Sequence, residues 1–355
     1  MGPQTISYKS LQRAARDLGM HMMVFMPDGV RPAHASVAGY WWSVRRRRWI
    51  RRRFPHPDVV LNRVPRRETE ALPAVQRTLT FLQRAQIPLF NPRFLDKWEV
   101  HKILSADPLS VRYVPPARLV NGVREVLAAL EEWQAVYVKP VAGSLGRGVI
   151  YVERGSRGYR YYTSSGRRHR RGKRRDARGL ALMLKRMMRK RCYIAQKAIE
   201  RVRYEGRPVD IRALVQRDHQ GQWVLTGMAA RVAGIGRLVT HVPQGGSRMS
   251  FDRALSGGFA PDQRVGLKHV IADAAVRAGE ALELGTGDIF GELSLDLALD
   301  LNGAVWILEC NAKPFRFDEP VIRGTASRRL VRFARYLARA RDSHHAERRL
   351  PHRLN

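Results

Sequence analysis

Asp296, Glu309 and Asn311 lie in two stretches, 292–300 and 304–311, that alternate apolar and polar residues and are joined through Asn302-Gly303. Asn-Gly between alternating runs predicts a β-hairpin, because a type I′ turn needs positive φ at both central positions. With Leu301 paired to Ala304, the register carries Asp296 onto Glu309, Ser294 onto Asn311 and Glu292 onto Lys313, all on one side. The opposite side then holds Leu293, Leu295, Leu297, Leu299, Leu301, Trp306, Leu308 and Cys310, an apolar surface suited to a core. Two facing carboxylates repel by about 3 kcal/mol at roughly 5 Å and an effective dielectric near 20, unless one is protonated or a cation sits between them. A hard divalent cation resolves the conflict. Two carboxylates and an amide suit Mg²⁺, which takes few protein ligands and keeps positions for water and phosphate. An ordinary exposed hairpin face with acids placed by chance is the alternative.

A second stretch, 136–152, reads as strand, glycine loop and strand. Lys139 ends the first strand and can supply a fixed positive charge, Gly143, Gly146 and Gly148 let backbone N–H groups approach phosphate oxygens, and Ser144 adds a donor. It is neither a Walker loop, which needs Gly-Lys-Ser/Thr opening a helix, nor a dinucleotide fingerprint. A plain hairpin turn would look the same. Residues 191–200 follow as a strand running into a connector whose backbone, from Gln196 and Lys197 to Ile199, could hydrogen-bond an adenine. Two further runs, 210–216 and 223–231, flank Gln220-Gly221 and place Arg212 and Arg231 on neighbouring strands. Arginines beside a metal site suit triphosphate binding and transition-state charge, though isolated arginines are as often surface ion-pair partners.

The elements before these motifs must position them. Residues 20–90 alternate short apolar runs with turn signals, which predicts a small α/β domain; Asp58 to Arg63 reads as a buried strand, and Glu68 to Ala85 as a helix interrupted near Pro73. A boundary falls around Pro88 to Pro92. A short helix over 96–104 can be capped by Asp96, a proline-rich connector spans 108–116, and a helix runs from about Val123 to Trp133.

At 355 residues and 44% hydrophobic, the chain can build two or three domains with ample core. Cys192 and Cys310 give neither a disulfide framework nor a cysteine metal site. No apolar stretch approaches the roughly 18 residues of a membrane span, and the run from His21 to Met26 is too short for a signal peptide, so a cytoplasmic location without membrane association is expected. Lys plus Arg number 65 against 31 Asp plus Glu, a formal charge of +34, and only ten of the 65 are Lys. Such a surface attracts polyanions, nucleic acid included, with strong salt dependence; a GC-rich coding bias would produce the same excess. The charge concentrates at 45–53, next to Tyr40-Trp41-Trp42, at 167–175, and from Arg328 to Arg353. Within the last, Leu330, Phe333, Ala334, Leu337 and Ala340 keep helical spacing, so a solvated basic face is expected. No nucleic-acid fold motif accompanies these clusters.

The order of motifs resembles the ATP-grasp superfamily. Lys139-Pro140 with the glycine loop, Ala195-Gln196-Lys197, Asp210-Ile211-Arg212, Gly227 to Gly234, Gly245-Gly246-Ser247 and Glu309-Cys310-Asn311-Ala312-Lys313-Pro314 together resemble its YheC/YheD-type endospore coat-associated family, from about Asp58 to Arg332. The resemblance implies a mixed α/β and α+β fold: a pre-ATP-grasp domain over 1–90, two halves clamping ATP over 91–200 and 201–340, and a basic tail over 341–355. It assigns ATP phosphates to Lys139 and Lys97, a lid to Gly143 through Gly148, the adenine edge to Gln196, Lys197 and Ile199, and Mg²⁺, with Mn²⁺ as a substitute, to Asp296, Glu309 and Asn311. Arg212, Arg231 and Arg316 would face the γ-phosphate and a carboxylate substrate. The implied activity is an ATP-dependent carboxylate ligase working through an acyl phosphate, with an acidic amino acid, peptide or protein as substrate and spore coat proteins as partners. A coat scaffold that keeps the fold, or a polyanion binder, are the alternatives. Phe315 departs from the smaller residue that relatives carry after the Pro, which bears on the acceptor pocket.

Overall fold

A computed structural model describes residues 5–30, 36–143, 147–165, 168–188, 192–240, 242–315 and 317–349. Ser144, Gly146 and Arg316 lie outside the described residues, as do Arg167 and residues 350–355. Two antiparallel sheets carry the motifs. The first runs, edge to edge, Arg168–Arg174, Gly158–Ser165, Val149–Gly155, Ala135–Pro140, Tyr193–Lys197, Ala117–Val120. Alternation decides its faces: Val136, Val138, Ile150 and Val152 pack with Leu130 and Leu184 of helices Val123–Trp133 and Ala177–Met187. The second of these helices starts where Asp176 accepts from the Gly179 N–H at 2.7 Å.

The second sheet runs Ser247–Met249, Trp223–Val232, Arg207–Arg217, Glu292–Leu299, Val305–Asn311, with Arg203–Tyr204 paired onto the start of Arg207–Arg217. The long helix Pro261–Thr286 covers one face, opened by Pro261 at its first position and closed by Gly287 at φ 69°, a left-handed conformation that glycine adopts without a Cβ clash. Leu95, Val100 and Leu104, around helix Lys97–Ala106, join this second core. The expected cap is present, since Asp96 accepts from the Glu99 N–H at 2.7 Å. On the other face, Leu214 packs with Phe317 and with Ile322 of helix Pro320–Arg349. That helix also meets helix Thr5–Asp17 through Leu11, Ala14, Leu330 and Phe333. Val24–Val30, Ser36–Ser43 and Arg48–Pro55 form a separate three-stranded sheet, and Val60–Leu61 pairs in parallel with Leu89–Phe90. The helix expected to break near Pro73 does so: Arg67–Glu70 stops and Pro73–Arg84 begins.

The hairpin's register holds at the acids and differs at its tip. Asp296 faces Glu309 and Ser294 faces Asn311, but Leu297 faces Ile307 and Leu299 faces Val305. The turn is closed by Asp300, not Leu301: the Asp300 N–H donates to the Ala304 carbonyl at 3.0 Å, and Gly303 sits at φ 84°. A bulge that adds Leu308 on the second strand restores the offset before the acids. As a result Val305 and Ile307 take the core positions expected of Trp306 and Leu308, and Leu301 is exposed. The cause is the bulge, which rotates two side chains to the opposite face.

Candidate active site

Glu292–Leu299 is buried along its whole length except at Asp296. Its neighbours Arg207–Arg217 and Val305–Asn311 satisfy its backbone on both sides, so the carboxylate is held on a fully paired strand. Asp296 meets the Arg212 guanidinium at 3.4 Å, and Arg212 reaches the Ser294 hydroxyl at the same distance. Glu309 meets Lys97 Nζ at 3.2 Å. Lys97 is the first residue of its helix, and its ammonium also donates to the Gly143 carbonyl at 2.8 Å, so one cation ties the glycine-loop strand to the acid pair. The repulsion expected between the facing carboxylates is met here by these two flanking cations.

Lys139 projects from the end of Ala135–Pro140 and donates to Gln196 Oε1, on the adjacent strand, at 2.7 Å. Burial pushes its ammonium down to about 8; Glu309 pulls the other way, and Lys97 adds to the depression. A lysine held this way carries a charge that any incoming anion stabilises.

A cleft between the sheets brings together Lys97, Lys139, Gly143, Lys197, Ile199, Asp296 and Glu309, around about 800 Å³ of atom-free space that includes its open mouth. Gln196 and Asn311 line an adjoining recess that shares Lys97, Lys139 and Glu309. Gly148, at φ 74°, lies just outside the cleft lining, and its N–H donates to the Ser164 carbonyl at 2.8 Å. Arg212 stands behind Asp296 with its guanidinium near the Phe317 ring, at 5.4 Å. Arg231 is not part of the cleft: it pairs with Glu319 at 2.8 Å, beside a second pair, Arg248 with Asp318, at 2.6 Å.

Sequence reasoning missed the cleft's other wall. Arg201 is 9% exposed and donates to Asp210, to the Tyr137 hydroxyl at 3.0 Å and to the Leu238 carbonyl at 2.8 Å, while Thr240 donates to the other Asp210 oxygen at 2.6 Å. Burial works against the Arg201 charge, but Asp210 and Tyr137 outweigh it and hold the guanidinium's pKa above its ordinary value. This network joins the first sheet, through Tyr137, to the second. Asp210 amid Val209, Ile211 and Ala213 was a signal, since a carboxylate in a buried run needs a partner. Leu308 also lines the cleft, turned there by the bulge.

Among the described residues no group of three or more His, Cys, Asp or Glu could hold a metal. A cation here would take two carboxylates and the Asn311 amide, an all-oxygen donor set that fits a hard ion such as Mg²⁺.

Two antiparallel sheets facing each other across a cleft, one ending in a lysine and a glycine loop and the other carrying the opposed acids, define an ATP-grasp fold. The chain belongs to the YheC/D like ATP-grasp family, whose model matches residues 86–337. It is 25% identical over 342 residues to the endospore coat-associated protein YheD of Bacillus subtilis (strain 168), covering 94% of this chain and 74% of that one. Among solved structures, the D-cycloserine synthetase DcsG superposes with TM-score 0.51 at 20% identity, over 94% of this chain and 95% of that one. D-alanyl-alanine synthetase A from Vibrio cholerae gives TM-score 0.52 at 11% identity, over 95% and 92%. These two likenesses are of fold.

Proposed function

We propose that the cleft binds ATP with Mg²⁺, Mn²⁺ being able to substitute, and that the chain is an ATP-dependent ligase that activates a carboxylate as an acyl phosphate for attack by an amine or related nucleophile. One observation carries this: Asp296 and Glu309 face each other in the cleft that also holds Lys97 and Lys139. In this reading Lys97 and Lys139 leave their present acceptors, Gly143 and Gln196, for phosphate oxygens. Asp296, Glu309 and Asn311 would hold the metal, which when bound supplies charge neutralisation for the transferred phosphoryl group. Arg212, already at Asp296, is placed to meet charge that develops on that group. Leu308, Ile199 and the backbone after Gln196 offer an apolar slot for a base. Arg231 and Arg316 are proposed to meet a carboxylate substrate, which for Arg231 requires giving up its present partner Glu319 outside the cleft. The chain thereby works mainly by positioning and charge, as phosphoryl transfer requires.

The substrate is proposed to be an acidic amino acid, peptide or protein, and association with the spore coat follows the name of the relative YheD. The division at residues 90, 200 and 340 is likewise a proposal; each sheet has its own core, although Leu95, Val100 and Leu104 pack into the second one and helix Pro320–Arg349 runs through 340.

The test is calorimetry of ATP binding at moderately high salt, with and without Mg²⁺, on the native chain and Asp296→Ala/Glu309→Ala. The expected result is Mg²⁺-dependent binding that the double variant loses. Binding unaltered in the variant would overturn the site.

A further inference from the structure

The basic strand Arg168–Arg174 is the outer edge of the first sheet. Its register decides what it faces. His169 lies opposite Ser164, Arg171 opposite Tyr162 and Lys173 opposite Arg160. Across the next pairings, Ser164 faces Val149, Tyr162 faces Tyr151, and Tyr151 faces Tyr137. Val149 and Tyr137, with Lys139 two residues along the same strand, line the nucleotide cleft. Directly paired residues share a face and alternate residues return to it, so His169, Arg171 and Lys173 continue the cleft's own face outward. The helix-packed side is different: it carries Tyr159 and Tyr161, the latter beneath Arg174 at 5.0 Å.

These cations are available. Arg160 donates to Glu153 at 2.8 Å, so its charge is already offset. Among the described residues no carboxylate pairs with Arg168, Arg170, Arg171 or Lys173, and each of the four is exposed. The strand also offers an open edge, since Gly158–Ser165 pairs with it on one side alone. Between the basic strand and the cleft this face is covered: Tyr162 and Ser164 are buried, and Ser164 donates to Gln244 Oε1 at 2.7 Å, so a bound chain reaches the cleft by passing over the turn Val242–Gln244.

Reach selects the ligand. Three strand spacings separate Ala135–Pro140 from Arg168–Arg174, roughly 14 Å before the detour over Val242–Gln244, which a single amino acid cannot span and an extended peptide of more than about five residues can. We propose that the exposed face of the strand 168–174 is a docking track for an extended acidic polypeptide, whose acidic side chains it holds while one carboxylate of the same chain enters the cleft. The proposal rests on the ligase reading of that cleft and narrows its substrate to a polymer. Spacing supports it: residues along a bound strand repeat every 3.3 Å or so, and alternate acidic residues would meet Arg171 and Lys173 in turn.

The experiment uses a fluorescein-labelled oligoglutamate of about ten residues and an oligothymidylate of similar charge as anisotropy probes, with ATP binding followed by calorimetry on the same samples. The full chain is compared with Arg171→Glu/Lys173→Glu and with the milder Arg171→Ala/Lys173→Ala, each checked by circular dichroism. The expected result is a loss of roughly tenfold or more in oligoglutamate affinity in the charge reversal and a smaller loss in the alanine pair, with ATP binding unchanged. Oligoglutamate affinity unchanged in both variants overturns the proposal and leaves the charges as a guard against edge-to-edge pairing. Oligothymidylate binding as tightly, and weakening equally, overturns the commitment to a polypeptide. Failure of ATP to bind any form, with peptide binding intact, would instead strike the ligase reading and leave the track standing.

Discussion

Strand Glu292–Leu299 and strand Arg168–Arg174 are of similar length and belong to sheets that face one cleft, yet they are built oppositely. Every residue of the first but Asp296 is buried, and it has a partner strand on each side. In the second, five of seven residues are exposed and one edge is open. The difference separates two tasks. Charges that must stay registered to a fraction of an ångström sit where opening the strand requires disrupting a core, whereas charges that would meet a variable partner sit where the sheet can fray at little cost.

The contrast can be broken first at its rigid end. Leu295→Ala, at a fully buried position of the second core, is expected to destabilise the chain by about 2–5 kcal/mol in urea unfolding. A loss below about 1 kcal/mol would mean that the acid strand is not the stable floor described here. Lys139 sharpens the contrast from within the cleft. Its folded pKa near 8 lies below the ordinary 10.5, so the folded chain binds this proton more weakly than the unfolded chain does. That costs stability at neutral pH, and the cost is relieved as pH rises from about 8 to about 10.5. Lys139→Met should therefore be more stable at pH 7, by a gain of order 1–3 kcal/mol, should lack the wild type's rise between pH 8 and 10, and should bind ATP more weakly. Urea unfolding of both proteins at the two pH values decides it: parallel curves would show that neighbouring acids already compensate the charge. The smallest effect belongs to the open strand. Arg170→Ala is expected to leave stability within about 0.5 kcal/mol, and a larger loss would show that the edge is structurally committed.

What was legible in the sequence follows the same division. Period-two alternation suffices to bring Asp296 and Glu309 to one hairpin, while their direct pairing came out as expected because the longer turn and the bulge offset each other. The Asp96 cap and the break at Pro73 were legible because each rests on local backbone chemistry. The bulge at Leu308 was not, because an extra residue in a strand leaves no mark in residue type, and the tip of the hairpin was misplaced accordingly. Nor was the Arg201–Asp210–Tyr137 network, whose members meet only when the two sheets do. Arg231 looked equivalent to Arg212 along the chain, and in the structure it pairs with Glu319 instead.

The bulge has a consequence for how this hairpin tolerates change. The turn closed by Asp300 and the extra residue at Leu308 shift the pairing in opposite senses, so the two cancel before the carboxylates are reached. The bulge supplies one fixed residue of offset that matches this turn, so the turn and Leu308 are coupled in length: removal of Leu308 alone would slide Glu309 past Asp296.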